Sequence, residues 1–296
     1  MDVLSIKGIT KYYGKICALN NVSFTIPAGS VYGILGPNGS GKTTLLGIIM
    51  NILKQNSGSF ELLGESPVSH VRRRVGTLLE TPNFYHYLSG EKNLRIAAAI
   101  KQKGENQIED VLKKVDLYNR RHSKFSSYSL GMKQRLAIAS CLLPDPEVLV
   151  FDEPTNGLDP VGISEIRELI LSLAAQGKTI IMASHLLDEV EKVCSHVAIL
   201  KYGNLLTAGK ADEVLVNEDI VEVGAKNMDI LENILKTFPG VSQVKKSGNF
   251  LQAFFPVGMA RMEEINRFCL DNGLILNHLI LKKKSLEALF LELTNN

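Results

Sequence analysis

Residues 36–43 constrain this chain more than any other segment. In order they are Gly36, Pro37, Asn38, Gly39, Ser40, Gly41, Lys42 and Thr43. The segment fits the pattern G-x-x-x-x-G-K-[ST] at every position. The apolar run Val31 to Leu35 precedes it, and a helical pattern from Lys42 to about Leu53 follows. A strand, a glycine-rich turn and a helix in this order predict a turn whose backbone N–H groups surround phosphate oxygens. The alternative is a strand-to-helix turn that binds no ligand.

Two side chains of this phosphate-binding turn, residues 36–43, are candidates for specific chemistry. Lys42 is expected to reach the β- and γ-phosphates of a nucleotide, and the Thr43 hydroxyl is expected to bind Mg²⁺. The turn therefore predicts a nucleoside triphosphate and Mg²⁺ as cofactors.

A second apolar run, Val148 to Val150, leads through Phe151 to the acidic pair Asp152 and Glu153. A carboxylate at the end of a buried strand can hold Mg²⁺, and an adjacent one can accept a proton from an attacking water molecule. We assign Asp152 to the metal and Glu153 to the general base. Without the phosphate-binding turn, the same pair would indicate only the start of a loop.

The first part of the chain alternates strand-like and helix-like segments, which predicts an α/β domain with a largely parallel sheet. The apolar run Thr179 to Ala183 is another buried strand candidate, and 197–200 with 205–207 form a predicted hairpin. Beyond about Glu213 the pattern changes to strand-helix-strand-strand-helix-strand, a ferredoxin-like order. We expect two domains, residues 1–215 and 216–296, the second ending in a helix capped by Ser285.

Composition excludes several classes of protein. With 45% hydrophobic and 22% charged residues, the 296-residue chain can bury two cores. A net charge of +2 is too small to indicate nucleic-acid binding. The basic clusters 72–74 and 282–284 are expected to be solvated rather than to bind nucleic acid or lipid. Four scattered cysteines without a signal peptide indicate a cytosolic protein, and no apolar run could span a bilayer.

Several further segments resemble motifs of the ABC transporter ATPases. Residues 128–135 are similar to the family's signature motif, usually written LSGGQ, and residues 156–159 resemble its D-loop. His185, which follows a predicted strand, resembles the switch histidine, and Tyr13 resembles the aromatic residue that stacks on adenine. The resemblance extends from the N-terminus to about residue 215.

This resemblance implies that the nucleotide is ATP and that the fold is an ABC cassette with a helical subdomain, followed by the small α+β domain. It also implies that the helix opened by Ser129 and Gly131 faces ATP bound to the opposite subunit of a homodimer. His185 would contact the γ-phosphate, and Asp159 would organise the subunit interface. The expected nucleotide contacts are Tyr13, Gly36, Pro37, Asn38, Gly39, Ser40, Gly41, Lys42, Thr43, Thr44, Ser129, Gly131 and Asp159. The structural alternatives are a packed Tyr13, a structural His185, and helix caps at Ser129 and Asp159.

The chain departs from the family pattern in the signature motif and at the Q-loop. Leu130 replaces the first signature glycine and Met132 the glutamine, while Ser129 and Gly131 keep a hydroxyl and an open backbone. Glu80 stands where the family has the Q-loop glutamine. We expect Glu80 to join Thr43 and Asp152 as a metal ligand and to couple nucleotide state to residues 82–94, which would receive a helix of a membrane partner. The alternative is a neutral exchange of an amide.

Residues 80–85 and 129–135 are similar to the ATPases of bacitracin-resistance and lantibiotic-immunity exporters, and residues 285–294 resemble the ends of many such subunits. The resemblance implies an ATP-hydrolysing exporter subunit for peptide antibiotics or similar amphiphiles. It would act on an integral membrane permease at the cytoplasmic face of the cell membrane. Two alternatives are a nucleic-acid or ribosome remodelling ATPase, which usually carries two cassettes or a long coiled coil, and a regulatory module whose last domain recognises a ligand.

Overall fold

The structure is a computed structural model that describes residues 2–66, 69–79, 83–215, 219–282 and 289–290. The chain divides into two compact units, Met1–Lys210 and Ala211–Asn296, here called the cassette unit and the C-terminal unit. The division falls after Lys210, whereas the change of sequence pattern places it after residue 215.

A six-stranded sheet forms the centre of the cassette unit. Its strands, in spatial order, are β5 (Val75–Leu78), β6 (Val148–Asp152), β7 (Thr179–Ser184), β3 (Val31–Leu35), β8 (His196–Lys201) and β9 (Asn204–Lys210). Neighbours from β5 to β8 pair in parallel, and β9 returns antiparallel to β8, as the predicted hairpin requires. The strands β3, β6 and β7 are buried at every residue, which explains their continuous apolar sequences.

A second, antiparallel sheet lies beside the first in the same hydrophobic core. It has the order β2-β1-β4, with β1 at Asp2–Tyr13, β2 at Ile16–Pro27 and β4 at Ser57–Leu62. Its inward side chains share one core with β3, β6, β7 and the helix after β3. The side chains of this shared core include Leu4, Ile9, Leu19, Ile26, Ile34, Leu45, Leu46, Val150 and Ile181. Each such side chain contributes roughly 1.5–3 kcal/mol by leaving water.

Three of the helices described in the cassette unit begin with a side-chain cap. The described helices of this unit are α1 (Lys42–Ile49), α2 (Ser69–Arg72), α3 (Gly90–Lys101), α4 (Ile108–Lys114), α5 (Leu130–Leu142), α6 (Pro160–Ala175) and α7 (Leu187–Val193). The side chains of Ser89, Ser129 and Asp159 each accept a backbone hydrogen bond at the start of α3, α5 and α6. Helices α3, α4 and α5 contact one another and form the helical subdomain.

Helix α1 is shorter than the sequence pattern predicts. It ends at Ile49 rather than near Leu53, because Asn51 takes a left-handed conformation with φ 54°. The backbone N–H groups of Ile52 and Leu53 then both donate to the carbonyl of Gly47. A left-handed residue just after the last turn is a common way to stop a helix.

The C-terminal unit has the element order predicted from its sequence. Its elements are α8 (Ala211–Leu215), β10 (Asp219–Ala225), α9 (Met228–Thr237), β11 (Gln243–Ser247), β12 (Phe250–Phe255), α10 (Met262–Asp271) and β13 (Leu276–Lys282). The four strands pair antiparallel in the order β11-β12-β10-β13. Its core includes Val221, Val223, Leu231, Leu235, Leu251, Phe255 and Ile265. The predicted cap Ser285 lies outside the described residues.

No helix in the described ranges is both long enough and apolar enough to cross a membrane.

A buried carboxylate joins two strands of the C-terminal unit. The Glu222 side chain on β10 is 7% exposed, and it accepts hydrogen bonds from Lys282 Nζ at 2.5 Å and His278 Nε2 at 3.0 Å, both on β13. The hydrogen bond from Lys282 lowers the pKa of Glu222 below its ordinary value, against the opposing effect of burial. Ionised Glu222 therefore stabilises the pairing of β10 with β13.

We expect Glu222→Gln to lower the free energy of unfolding by about 1–3 kcal/mol at neutral pH, the usual contribution of charge-assisted hydrogen bonds. A carboxyl whose pKa is lower in the folded chain contributes fully above the unfolded value of 4.5, and the contribution is lost as pH falls through the folded value. Urea unfolding at about pH 7 and about pH 3 measures both effects, with the exposed Glu263→Gln as control. A loss that is equal at both pH values would contradict this role.

Candidate functional site

The candidate site lies where three neighbouring parallel strands end. The turn 36–43 follows β3, Glu153 follows β6, and His185 follows β7. In the sheet register Leu35 pairs with Ser184, and Asp152 pairs with Ala183. The carboxyl edge of a parallel sheet is where α/β proteins bind ligands. Segments far apart in sequence thus meet at one edge, as the sequence motifs predict.

Two glycines of the phosphate-binding turn have no room for a side chain. A Cβ at Gly36 would overlap the carbonyl oxygen of Leu200, and a Cβ at Gly41, which has φ 104°, would lie 2.5 Å from the carbonyl oxygen of Ala18. The backbone of the turn therefore packs directly against its neighbours. Ser40 N–H closes the turn by donating to the carbonyl of Pro37 at 3.1 Å.

Lys42 is a buried cation at the start of α1, with 6% of its side chain exposed. Its ammonium donates to the carbonyl oxygens of Gly36 at 2.8 Å and Pro37 at 3.2 Å, and it lies 4.0 Å from Glu153 Oε1. Burial lowers the pKa of Lys42, although the charges of Glu153 and Asp152 act in the opposite direction. A weakly hydrated ammonium in this position is suited to binding a phosphate.

Glu153 connects the lysine to the histidine. Its Oε2 accepts a hydrogen bond from His185 Nδ1 at 2.8 Å, so Lys42, Glu153 and His185 form one chain of contacts. The Glu153 backbone is left-handed, with φ 49°, and its N–H donates to the carbonyl of Ala183 at 3.0 Å. For a residue other than glycine this conformation costs about 1 kcal/mol or more, and such strain is often found at functional sites.

The oxygen donors around Lys42 are those that a magnesium ion bound with a nucleotide would use. The Asp152 carboxylate is buried at the end of β6, and the Thr43 hydroxyl lies next to Lys42 in the chain. Ser40 Oγ is buried and makes no hydrogen bond to the described residues. The described part of the chain holds no group of three or more His, Cys, Asp or Glu that could bind a metal. Mg²⁺ is usually bound by one or two carboxylates together with phosphate oxygens and water, so this donor set fits it.

The segment that resembles a signature motif lies close to the segment that resembles a D-loop. Ser129 caps α5 by accepting from Met132 N–H at 3.3 Å, and Asp159 caps α6 by accepting from Gly162 N–H at 2.9 Å. A Cβ at Gly157 would lie 3.3 Å from a Leu130 methyl group. Both structural alternatives, Ser129 and Asp159 as helix caps, are therefore realised within the chain.

The remaining predicted residues are Tyr13, Thr44 and Glu80. Tyr13 ends β1 and is 45% exposed, with Lys11 Nζ 5.2 Å from its ring centroid; neighbouring Tyr12 is 46% exposed. Thr44 follows Thr43 in the first turn of α1. Glu80 lies outside the described residues.

One organising residue was missed by sequence reasoning. Asn93 on α3 is 2% exposed; its Oδ1 accepts from Tyr85 N–H, and its Nδ2 donates to the carbonyls of Tyr85 and Ser89. It fixes the loop after residue 83, whose side chains form a groove of about 470 Å³ with α3. The groove is lined by Asn83, Phe84, Tyr85, His86, Asn93, Ile96, Ala97 and Ile100. The only sequence signal for Asn93 is that a polar residue stands on a helix face that is otherwise packed.

A parallel sheet that presents this turn, a buried lysine and a strand-end carboxylate defines a nucleotide-binding ATPase of the P-loop class. The family model described as ABC transporter matches residues 19–156. The bacitracin transport ATP-binding protein BcrA of Enterococcus faecalis is 33% identical, covering 98% of this chain and 96% of that protein. The chain therefore belongs to the ABC transporter ATP-binding proteins; it binds ATP and is an ATPase.

Two further comparisons agree with this assignment. The lantibiotic transport ATP-binding protein SrtF of Streptococcus pyogenes is 38% identical, covering 74% of this chain and 98% of that protein. The dimeric post-hydrolysis structure of the ATP-binding cassette MJ0796, with ADP and Pi bound, is 27% identical with a TM-score of 0.61, covering 70% of this chain and 98% of that chain.

We expect Lys42→Ala to weaken ATP binding by about tenfold to a hundredfold, because charge-assisted hydrogen bonds to phosphate are lost. Titration with a fluorescent ATP analogue measures the change, and Lys7→Ala, an exposed lysine on β1, serves as control. Unchanged affinity in Lys42→Ala would show that Lys42 does not contact the phosphates.

Proposed function

We propose that this chain is the ATP-hydrolysing subunit of an exporter of peptide antibiotics or similar amphiphiles, and that it works as an ATP-dependent homodimer on an integral membrane permease. The observation that carries the proposal is the contact chain Lys42–Glu153–His185 at the ends of β3, β6 and β7. It provides a phosphate-binding cation, a proton acceptor and a histidine, and the proton acceptor lies next to both of the other groups. Transfer of a phosphoryl group to water needs a cation on the phosphates and a base for the water molecule.

Each residue has a separate task in this proposal. The turn 36–43 with Thr44 binds the phosphates through backbone N–H groups, and Lys42 neutralises charge that develops on the γ-phosphate. Thr43 and Asp152 would hold Mg²⁺, with Glu80 as a third ligand; the ion supplies charge neutralisation between the β- and γ-phosphates. Glu153 accepts the proton of the attacking water, and His185 orients the Glu153 carboxylate and contacts the γ-phosphate. Tyr13 stacks on adenine.

The signature segment completes the site of a second copy. Helix α5 is capped by Ser129 and has no acidic residue in its first turn, so its N-terminus favours an anion. The exposed start of α5, with Asp159 beside it at the start of α6, would meet the nucleotide bound to the other subunit. The cassette MJ0796, which forms a dimer with ADP and Pi bound, supports a nucleotide-bound dimer.

The groove beside α3 is the proposed contact with the permease. Phe84 packs edge-on against Phe125 at 5.2 Å, which holds the base of the groove. Tyr85, Tyr87 and Ile100 are 50%, 70% and 78% exposed, so the apolar anchors point away from the core. An apolar helix of a membrane protein would bury these side chains.

The substrate class rests on the relatives. BcrA, which aligns over nearly the whole chain, is named for bacitracin transport, and SrtF for lantibiotic transport. Expression of this chain together with the membrane protein that co-purifies with it should raise tolerance of a sensitive host to bacitracin or a lantibiotic. Tolerance that also rises with the hydrolysis-deficient Glu153→Gln variant would count against export.

We expect Glu153→Gln to bind ATP with near-normal affinity but to hydrolyse it about 10²–10⁴ times more slowly, because an amide cannot accept the proton. ATP that is bound but not hydrolysed should hold two copies together. Phosphate release and analytical ultracentrifugation with MgATP measure the two effects. A variant that turns over at the normal rate would exclude Glu153 as the base.

We expect Ile100→Glu to reduce co-purification of the permease at least tenfold, because a charge enters the apolar groove, while ATPase activity without the permease is unchanged. Ile52→Glu is a matched control, since Ile52 is 67% exposed elsewhere on the cassette unit. Equal permease recovery with both variants would place the docking surface elsewhere.

A further inference from the structure

Leu130 is the first residue of α5, and it stands where the resembling motif has a glycine. Its side chain is not part of the core, because Leu130 is 47% exposed. A side chain at this position lies directly next to Ser129, the residue proposed to meet the partner's nucleotide.

The less exposed side of Leu130 lies close to Gly157. A Cβ at Gly157 would come within 3.3 Å of Leu130 Cδ2, and Gly157 itself has φ 75°. Beside this contact, a Cβ at Gly131 would lie 4.0 Å from the Cα of Gly162, whose N–H is held by Asp159. The start of α5 therefore lies close to both the loop before α6 and the first turn of α6.

We propose that Leu130 is a positioning residue that locks the signature turn, residues 129–132, onto the D-loop, residues 156–159, of the same subunit. The two segments then meet the partner subunit and its nucleotide as one preformed surface. A glycine has no side chain with which to make this contact. The leucine therefore fixes the conformation of the signature turn, which the glycine of the usual motif does not do. The inference rests on the proposed ATP-dependent dimer.

Preformed order matters because an unordered turn must be immobilised when two subunits associate, and that cost weakens binding. Leu130 is only half buried, so the loss of its side chain should weaken the binding of each signature turn to the partner subunit by about threefold. A homodimer uses two signature turns, and the combined effect on dimerisation is therefore about tenfold.

The test uses the full chain in the Glu153→Gln background, where MgATP should hold the dimer. We expect Leu130→Ala to raise the dimer dissociation constant about tenfold by analytical ultracentrifugation, and Leu130→Met to restore it to within about twofold. The affinity of the monomer for ATP and the melting temperature should both stay unchanged, since Leu130 touches neither its own phosphate-binding turn nor the core.

A double-mutant cycle isolates the contact itself. Gly157→Ala adds backbone strain in any background, but its methyl group meets a leucine side chain only when Leu130 is present. The dimerisation defect of Gly157→Ala should therefore be at least threefold smaller when combined with Leu130→Ala. Equal defects in the two backgrounds would overturn the proposed contact.

The outcomes separate this inference from the function on which it rests. A Glu153→Gln protein that stays monomeric with MgATP overturns the proposed dimer, and the role of Leu130 with it. A Glu153→Gln dimer that is equally stable with Leu130→Ala overturns the role of Leu130 alone.

Discussion

The burial of one ammonium group is the constraint on which the rest of the cassette unit depends. Lys42 is kept away from water by the closely packed glycine turn, and two backbone carbonyls and the Glu153 carboxylate replace its hydration. A buried charge without such partners would be strongly destabilising. The carboxylate can be supplied only if β6 ends close to the turn after β3, and the strand order β6-β7-β3 provides this.

The same carboxylate fixes the position of the lysine relative to β7. Glu153 is bound at its N–H to β7 and at its side chain to His185, so three strand ends are fixed relative to one another. Segments outside this cluster are arranged by different forces. Helix caps set the starts of α5 and α6, and an asparagine clamp sets the loop beside α3. Charge organises the centre of the site, and local backbone hydrogen bonding organises its periphery.

Sequence patterns predicted the features that are local in the chain. The runs 31–35, 148–151 and 179–183 are strands because continuous apolar sequence indicates a strand buried on both faces. The predicted end of α1 was wrong, because the apolar sequence on which it was based continues past the left-handed Asn51. The Asn93 clamp depends on side-chain hydrogen bonds to a loop of irregular backbone, which hydrophobic periodicity does not indicate. The proximity of Leu130 to Gly157 joins residues distant in sequence, and no local pattern encodes it. The roles of all the site residues toward a nucleotide, including Tyr13, Glu80 and Asp159, stay predictions.

The pairing within the C-terminal unit has a consequence for how such a chain can change. Ile220 near the start of β10 pairs with Lys282 at the end of β13, so the chain enters and leaves this sheet at the same end. A unit with adjacent ends can be appended, exchanged or deleted at a single junction without cutting through another fold. Recombination can therefore exchange the C-terminal unit without changing the sequence of the cassette unit.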